Sequence, residues 1–159
     1  MIKLNVRSSS KIKERFINLD KYKTFKSDIV HDLEKSPYLF EDDSVDQVLL
    51  SHVLEHLGSN SSIFNLIMKE LYRIYKNSFA IDIVVPHPRN DTFISDPTHV
   101  RPIINVLLSL YDKDLNLQWT EDGAANSPLA LIHNVNFKII EKTLFLKEDY
   151  EKNNMIINI

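Results

Sequence analysis

The sequence contains no cysteine, only two glycines in 159 residues, and no apolar run that approaches the length of a membrane span. Without thiols there is no disulfide framework, no thiolate metal site and no cysteine nucleophile. With Gly58 and Gly123 alone, no glycine-rich turn can form. The lysine-bearing N-terminus is not followed by the apolar stretch of a signal peptide, so the expectation is a soluble, cytoplasmic protein with no membrane partner.

What is present is an ordinary globular composition, 43% hydrophobic and 26% charged, in a length that suits one domain with a real core. The net charge of −3 argues against a general nucleic-acid binder. The charge is nevertheless uneven. Residues 1 to 26 hold eight Lys or Arg against Glu14 and Asp20, a balance of +6 that leaves −9 for the remainder. Lys11, Lys13, Arg15, Lys21, Lys23 and Lys26 form a basic segment with the charge to bind an anion.

Short apolar runs punctuated by polar residues predict strands over Ile2–Val6, Phe16–Leu19, Ser27–Val30, Val48–Leu50 and Phe79–Val85. The run Val48-Leu49-Leu50 suits a strand buried on both faces of a parallel sheet. After Gly58-Ser-Asn-Ser-Ser62, the spacing Ile63, Ile67, Leu71, Ile74 predicts a helix of about four turns with one broad apolar face. Residues 86–99 read as a long polar connection without structure of its own. Thr98 is expected to cap a helix that carries Pro102 in its first turn and ends near Lys113. The stretch 114–136 is not assigned. Phe137–Leu146 and Met155–Ile159 read as a closing strand pair joined by a hairpin connection. Strands alternating with crossovers indicate an α/β fold: a Rossmann-like, mostly parallel sheet with helices on its faces and a C-terminal antiparallel strand pair. The expected organisation is one domain over 1–159, with 86–136 as a cap-like insertion.

In such sheets ligands bind beyond the carboxyl ends of the strands. Asp20, Asp32 and the group His52, Glu55 and His56 all fall at such ends. The spacing His52-x-x-Glu55-His56 also matches an inverted zinc-protease motif, but it follows a strand and shows no further ligand, so no metal is expected.

The ordered segments Asn18-Leu-Asp20, His31-Asp32-Leu33-Glu34, Phe40-Glu-Asp-Asp-Ser44-Val-Asp46 and Ser51-His52-Val-Leu-Glu55-His56-Leu57 resemble the core motifs of small class I S-adenosylmethionine-dependent methyltransferases. Pro86-His-Pro-Arg89 and Asp96-Pro-Thr-His99-Val-Arg101-Pro102 are similar to a loop and helix start found in some of these proteins. The resemblance implies S-adenosylmethionine as cofactor. Asp20 would accept the ribose hydroxyls, Asp32 would accept the adenine amino group, and Leu33 would wall the ring. Ser8 and Ser9 would supply donors from the turn after the first strand.

On the acceptor side, the resemblance places His52 against the reacting groups, with His99 as a second candidate base and Glu55, His56, Asp96 and Arg101 as substrate-binding residues. The acceptor it suggests is a small molecule or a sugar-type compound. One departure accompanies the match: Arg7-Ser8-Ser9 stands where these proteins carry a glycine-rich turn, and Arg15 stands where a further glycine is common. The alternative is therefore a methyltransferase-like binding or regulatory protein that has lost normal cofactor binding. Homodimerisation over the site is compatible with so small a chain.

Overall fold

The computed structural model describes residues 1–7, 12–23, 27–76, 80–145 and 154–158. Seven strands form one sheet: β1 (Lys3–Arg7), β2 (Ile17–Asp20), β3 (Ile29–Val30), β4 (Gln47–Ser51), β5 (Ile81–Pro86), β6 (Glu141–Phe145) and β7 (Asn154–Asn158). Their order is β3-β2-β1-β4-β5-β7-β6. Strands β1 to β5 pair in parallel, and β7 enters antiparallel between β5 and β6. The strand order reverses between β1 and β4, so a crevice opens beyond their carboxyl ends.

The inward face of the sheet is apolar at alternate positions, as the two-residue strand period requires. Leu4, Val6, Val48, Leu50, Ile81, Ile83 and Val85 are all buried in one core with Ile157. Helix α1 (Ser61–Ile74) lies in that core through Phe64, Ile67, Met68, Leu71 and Ile74. Its start is fixed by Asn60, whose side chain accepts the Ser62 amide. Each fully buried aliphatic side chain here is worth about 1.5–3 kcal/mol of transfer energy. The opposite positions are polar. Asn5 donates to Asn18 at 2.8 Å and Gln47 donates to Asp82 at 3.0 Å. Strand β4 therefore alternates, with Leu49 only half-buried, whereas the apolar run predicted burial on both faces.

The connection after β5 departs from expectation. Residues 86–99 contain a short helix, α2 (Asp91–Ser95), capped by the Asn90 side chain through the Thr92 amide. The single helix predicted from Thr98 to Lys113 does not form. Instead α3 (Asn105–Ser109) and α4 (Lys113–Glu121) are separate, followed by α5 (Leu129–His133). Four hydrogen bonds explain why. Asp96 accepts both the amide and the hydroxyl of Thr98, an alternative to the helical ladder. The carbonyl of Glu55 takes the amides of Val100 and Arg101, which removes both from any helix. Asp112 then starts α4 by accepting the amides of Asp114 and Leu115.

The region is joined to the core by buried Ile103, Leu108 and Tyr111. Strand β3 is shorter than predicted because Asp28 turns to accept from Asn18. Strand β6 begins only at Glu141, since Phe137 is buried and its amide donates to the Tyr111 carbonyl. Residues 148–153 of the expected connection, Ser8, Ser9, Lys11 and Lys26 lie outside the described residues, and Asn154 opens β7 instead. No helix among the described residues is long and apolar enough to cross a membrane.

Candidate functional site

Two clefts open beyond the carboxyl ends of the parallel strands and share His56 in their walls. The first, about 340 Å³, is lined by Val6, Leu19 and Leu33 with Asp20, Asp32 and Tyr22 at its polar edge. Asp20 ends β2 and is 3% exposed. Its Oδ1 accepts the Tyr22 amide at 2.9 Å, while its Oδ2 is buried with no hydrogen-bond partner. Leaving a buried carboxyl oxygen unpaired costs on the order of 1–3 kcal/mol, so a ligand that donates there recovers energy.

Asp32 follows β3. Its Oδ1 accepts the Glu34 amide and its Oδ2 lies 3.2 Å from Lys21 Nζ. Burial alone would lower the Lys21 pKa, but the hydrogen bond and charge of Asp32 outweigh it and leave Lys21 raised. Leu33 is buried in the cleft wall, and its carbonyl is fixed by the Tyr38 hydroxyl at 2.9 Å.

The second cleft, about 390 Å³, gathers His52, Glu55, His56, Asp96 and His99. Strand β4 delivers His52 directly, in a left-handed conformation with φ 53° and its amide donating to Val84 O at 2.9 Å. The 3-10 turn Leu54–His56 follows and buries Glu55 completely. Asp96 and His99 arrive from the connection after β5, which docks on the Glu55 carbonyl. His99 stacks on Phe93 at 5.1 Å and tilts over His56 at 4.6 Å. Asp96 is held below the usual carboxylate range, first by the Thr98 hydroxyl, then by the Thr98 amide and more weakly by the two histidines.

Five of the six acceptor-side candidates therefore meet in one place. Arg101 does not line either cleft. Its Nη2 donates to Gly58 O at 2.8 Å and its guanidinium lies 4.6 Å from the Phe64 ring, which makes it a clamp between the connection and α1. Phe93 was not singled out from sequence, Thr98 was read only as a helix cap, and Lys21 only as one charge of the basic segment. Thr98 had a readable signal, the Asp96-x-Thr98 spacing that favours a side-chain turn. Phe93 had none, and the pairing of Lys21 with Asp32 had none, because these contacts join residues distant in sequence or across a loop.

Neither a protein-family model nor a curated protein matches the sequence. Solved structures do match the fold. An S-adenosylmethionine-dependent methyltransferase from Archaeoglobus fulgidus is 16% identical, with 98% of this chain and 84% of that one covered at a TM-score of 0.58. One from Methanosarcina mazei is 12% identical, covering 98% and 90% at a TM-score of 0.61. The 1,6-didemethyltoxoflavin-N1-methyltransferase of Burkholderia thailandensis, solved with 1,6-didemethyltoxoflavin and S-adenosylhomocysteine, is 8% identical, covering 99% and 69% at a TM-score of 0.58. The chain has the fold of class I S-adenosylmethionine-dependent methyltransferases. Its two clefts sit at the carboxyl ends of the parallel strands, on either side of His56.

Proposed function

We propose that this chain is an S-adenosylmethionine-dependent methyltransferase acting in the cytoplasm on a small-molecule or sugar-type acceptor. We read it as one domain in which 86–136 caps the site. The observation that carries this reading is Asp20, whose buried Oδ2 has no partner while its Oδ1 is fixed by Tyr22. An oriented acceptor at the end of β2 suits a vicinal diol, the donor pair of a ribose. Asp32 and Leu33 supply a polar edge and an apolar wall for a purine, and the first cleft has the size of a nucleoside site.

The cofactor, when bound, supplies an activated methyl group. The chain supplies position: methyl transfer needs the acceptor held in line and water excluded, with few reacting side chains. In this reading His52, just past the end of β4, takes a proton from the acceptor, and His99, which lines the same cleft, is the second candidate base.

Calorimetric titration with S-adenosylmethionine and S-adenosylhomocysteine tests the reading. Both should bind. Asp20→Ala should weaken them roughly 10-fold to 100-fold, the worth of a charge-assisted hydrogen bond. His52→Ala should lower turnover while cofactor affinity is retained. Absence of binding near physiological cofactor concentration overturns the proposal.

One observation favours the second reading, a binding or regulatory module that has lost normal cofactor use. Asp32 is already paired with Lys21, which competes with a ligand for that carboxylate. If Lys21→Ala creates cofactor affinity that the parent chain lacks, the second reading holds.

A further inference from the structure

Glu55, His56 and His99 each place one potential ligand atom within 4.8 Å of the other two. The hydrogen bonds around them decide which atoms those groups present. Thr98 Oγ1 donates its only hydrogen to Asp96 Oδ1 at 2.6 Å, so towards His56 Nδ1, 3.0 Å away, it can only accept. Nδ1 of His56 therefore carries the hydrogen and Nε2 carries the lone pair. His99 Nδ1 lies 2.9 Å from the Phe93 carbonyl, which also can only accept, so His99 presents a lone pair at Nε2 as well. Glu55 is fully buried, and neither of its carboxyl oxygens has a hydrogen-bond partner. His52 Nδ1 lies 3.5 Å from its Oε1. The cluster thus joins two imidazole lone pairs and a buried, under-satisfied carboxyl group, with Asp96 Oδ2 3.8 Å from His99 Nε2.

We propose that Glu55, His56 and His99 form a mononuclear site for a zinc-type divalent cation. Two imidazoles and one carboxylate are a ligand set that first-row transition metals prefer, whereas Mg²⁺ and Ca²⁺ prefer oxygen ligands throughout. The surroundings have the form of an outer shell. The Nδ1–H of His99 is anchored on a backbone carbonyl, and that of His56 on a hydroxyl that a carboxylate orients. Such bonds fix the tautomer and aim the ring nitrogen at the metal.

The motif His52-x-x-Glu55-His56 contributes only its last two residues. The third ligand comes from a loop more than forty residues later, which is why sequence spacing predicted no metal. The site goes beyond the methyltransferase reading and does not depend on it; with metal bound, the His99 Nε2 lone pair is taken and His52 alone is left as the base of that reading. Its remaining coordination positions face the cleft that holds His52, a setting suited to an oxygen-donor ligand.

Tag-free full-length protein, stripped with chelator, should be titrated with Zn²⁺ by calorimetry and by competition with a chromophoric chelator. We expect one equivalent to bind, and Co²⁺ substitution to give visible absorption of a low-coordinate nitrogen–oxygen site. Glu55→Gln, His56→Ala and His99→Ala should each weaken Zn²⁺ at least about 100-fold. Thr98→Val, which removes the hydroxyl that anchors His56 and its bond to Asp96 but no proposed ligand, should weaken it roughly 10-fold to 100-fold. His133→Ala, at the end of α5, should leave it unchanged. Circular dichroism of the metal-free variants controls for folding. If Glu55→Gln does not fold, His99→Ala and Thr98→Val carry the test. Zn²⁺ should raise the melting temperature of the parent chain and not that of His99→Ala. Failure to bind one equivalent, or affinity unchanged across the three ligand variants, overturns the site. Neither result bears on S-adenosylmethionine binding, which is measured separately without metal.

Discussion

The amide of Val100 donates to the carbonyl of Glu55 at 2.9 Å, and this contact ties together the two segments that wall the second cleft. It fastens the connection after β5 to the 3-10 turn after β4, and it places the neighbouring His99 over His56. Side chains from two segments more than forty residues apart thereby share one cleft, without any helix or strand spanning between them.

Gly58 stands where this docking meets α1. Its φ is +65°, its amide donates to Glu34 Oε1 at 2.9 Å, and its carbonyl accepts from Arg101. An added Cβ would lie 2.6 Å from Phe64 Cβ and 2.7 Å from its Cα, atoms that cannot move without shifting α1. Gly58→Ala should therefore destabilise the fold by more than about 2 kcal/mol, combining left-handed strain with overpacking. Urea denaturation measures it; a change below about 0.5 kcal/mol would show that the turn can relax.

His52 carries a conformational cost that can be separated from its chemistry. At φ 53° it occupies the left-handed region, where a Cβ costs about 1 kcal/mol or more relative to glycine. His52→Gly should be more stable than His52→Ala by about that amount, while both should lose turnover to the same degree. Equal stabilities for the two variants would remove the case for strain at this position.

The sheet was legible because its strands are short apolar runs bounded by polar turns, and α1 because Ile63, Ile67, Leu71 and Ile74 repeat at helical spacing. The placement of Asp20, Asp32 and His52 at strand ends followed from the same pattern. What the sequence hid was non-local. The Thr98-to-Lys113 helix is lost to bonds with Asp96 and the Glu55 carbonyl, neither of which leaves a periodic trace. Arg101 is an available cation in sequence, yet in the fold it is spent on Gly58 and Phe64. His99 acquires its role from a ring contact with His56 that no spacing rule encodes.

Acid sensitivity should centre on Glu70. It is 8% exposed, and its pKa is lowered first by hydrogen bonds from Arg73, against the opposing effect of burial, with help from the Tyr38 amide. A depressed carboxyl pKa contributes stability that is complete above the ordinary value of 4.5 and is lost as pH falls through the lower folded value. The stability gap between the parent chain and Glu70→Gln should thus be widest at neutral pH and shrink below pH 4.5. Denaturation midpoints collected from pH 7 to pH 3 check this, and a gap that stays constant would show that Arg73 does not favour the charged form.

Tyr111 offers a way to loosen the packing of 103–111 on α1 without touching a residue that lines either cleft. Its ring is fully buried in the core, its hydroxyl donates to Asn65 Oδ1 on α1 at 2.6 Å, and its carbonyl accepts the Phe137 amide. Burial pushes the hydroxyl pKa up to about 12, so the group remains a donor throughout the neutral range. Tyr111→Phe keeps the ring and removes one hydrogen bond. Because Asn65 is only half-buried and water can replace the lost donor, the cost should be about 1 kcal/mol rather than the full penalty of an orphaned buried acceptor. That cost should be the same at pH 6 and pH 9, since no proton is taken up or released by Tyr111 between them. Titration with S-adenosylhomocysteine should be unaltered. A pH-dependent cost would mean that the Tyr111 hydroxyl ionises well below 12, and a fall in cofactor affinity would mean that the packing of 103–111 on α1 influences the first cleft.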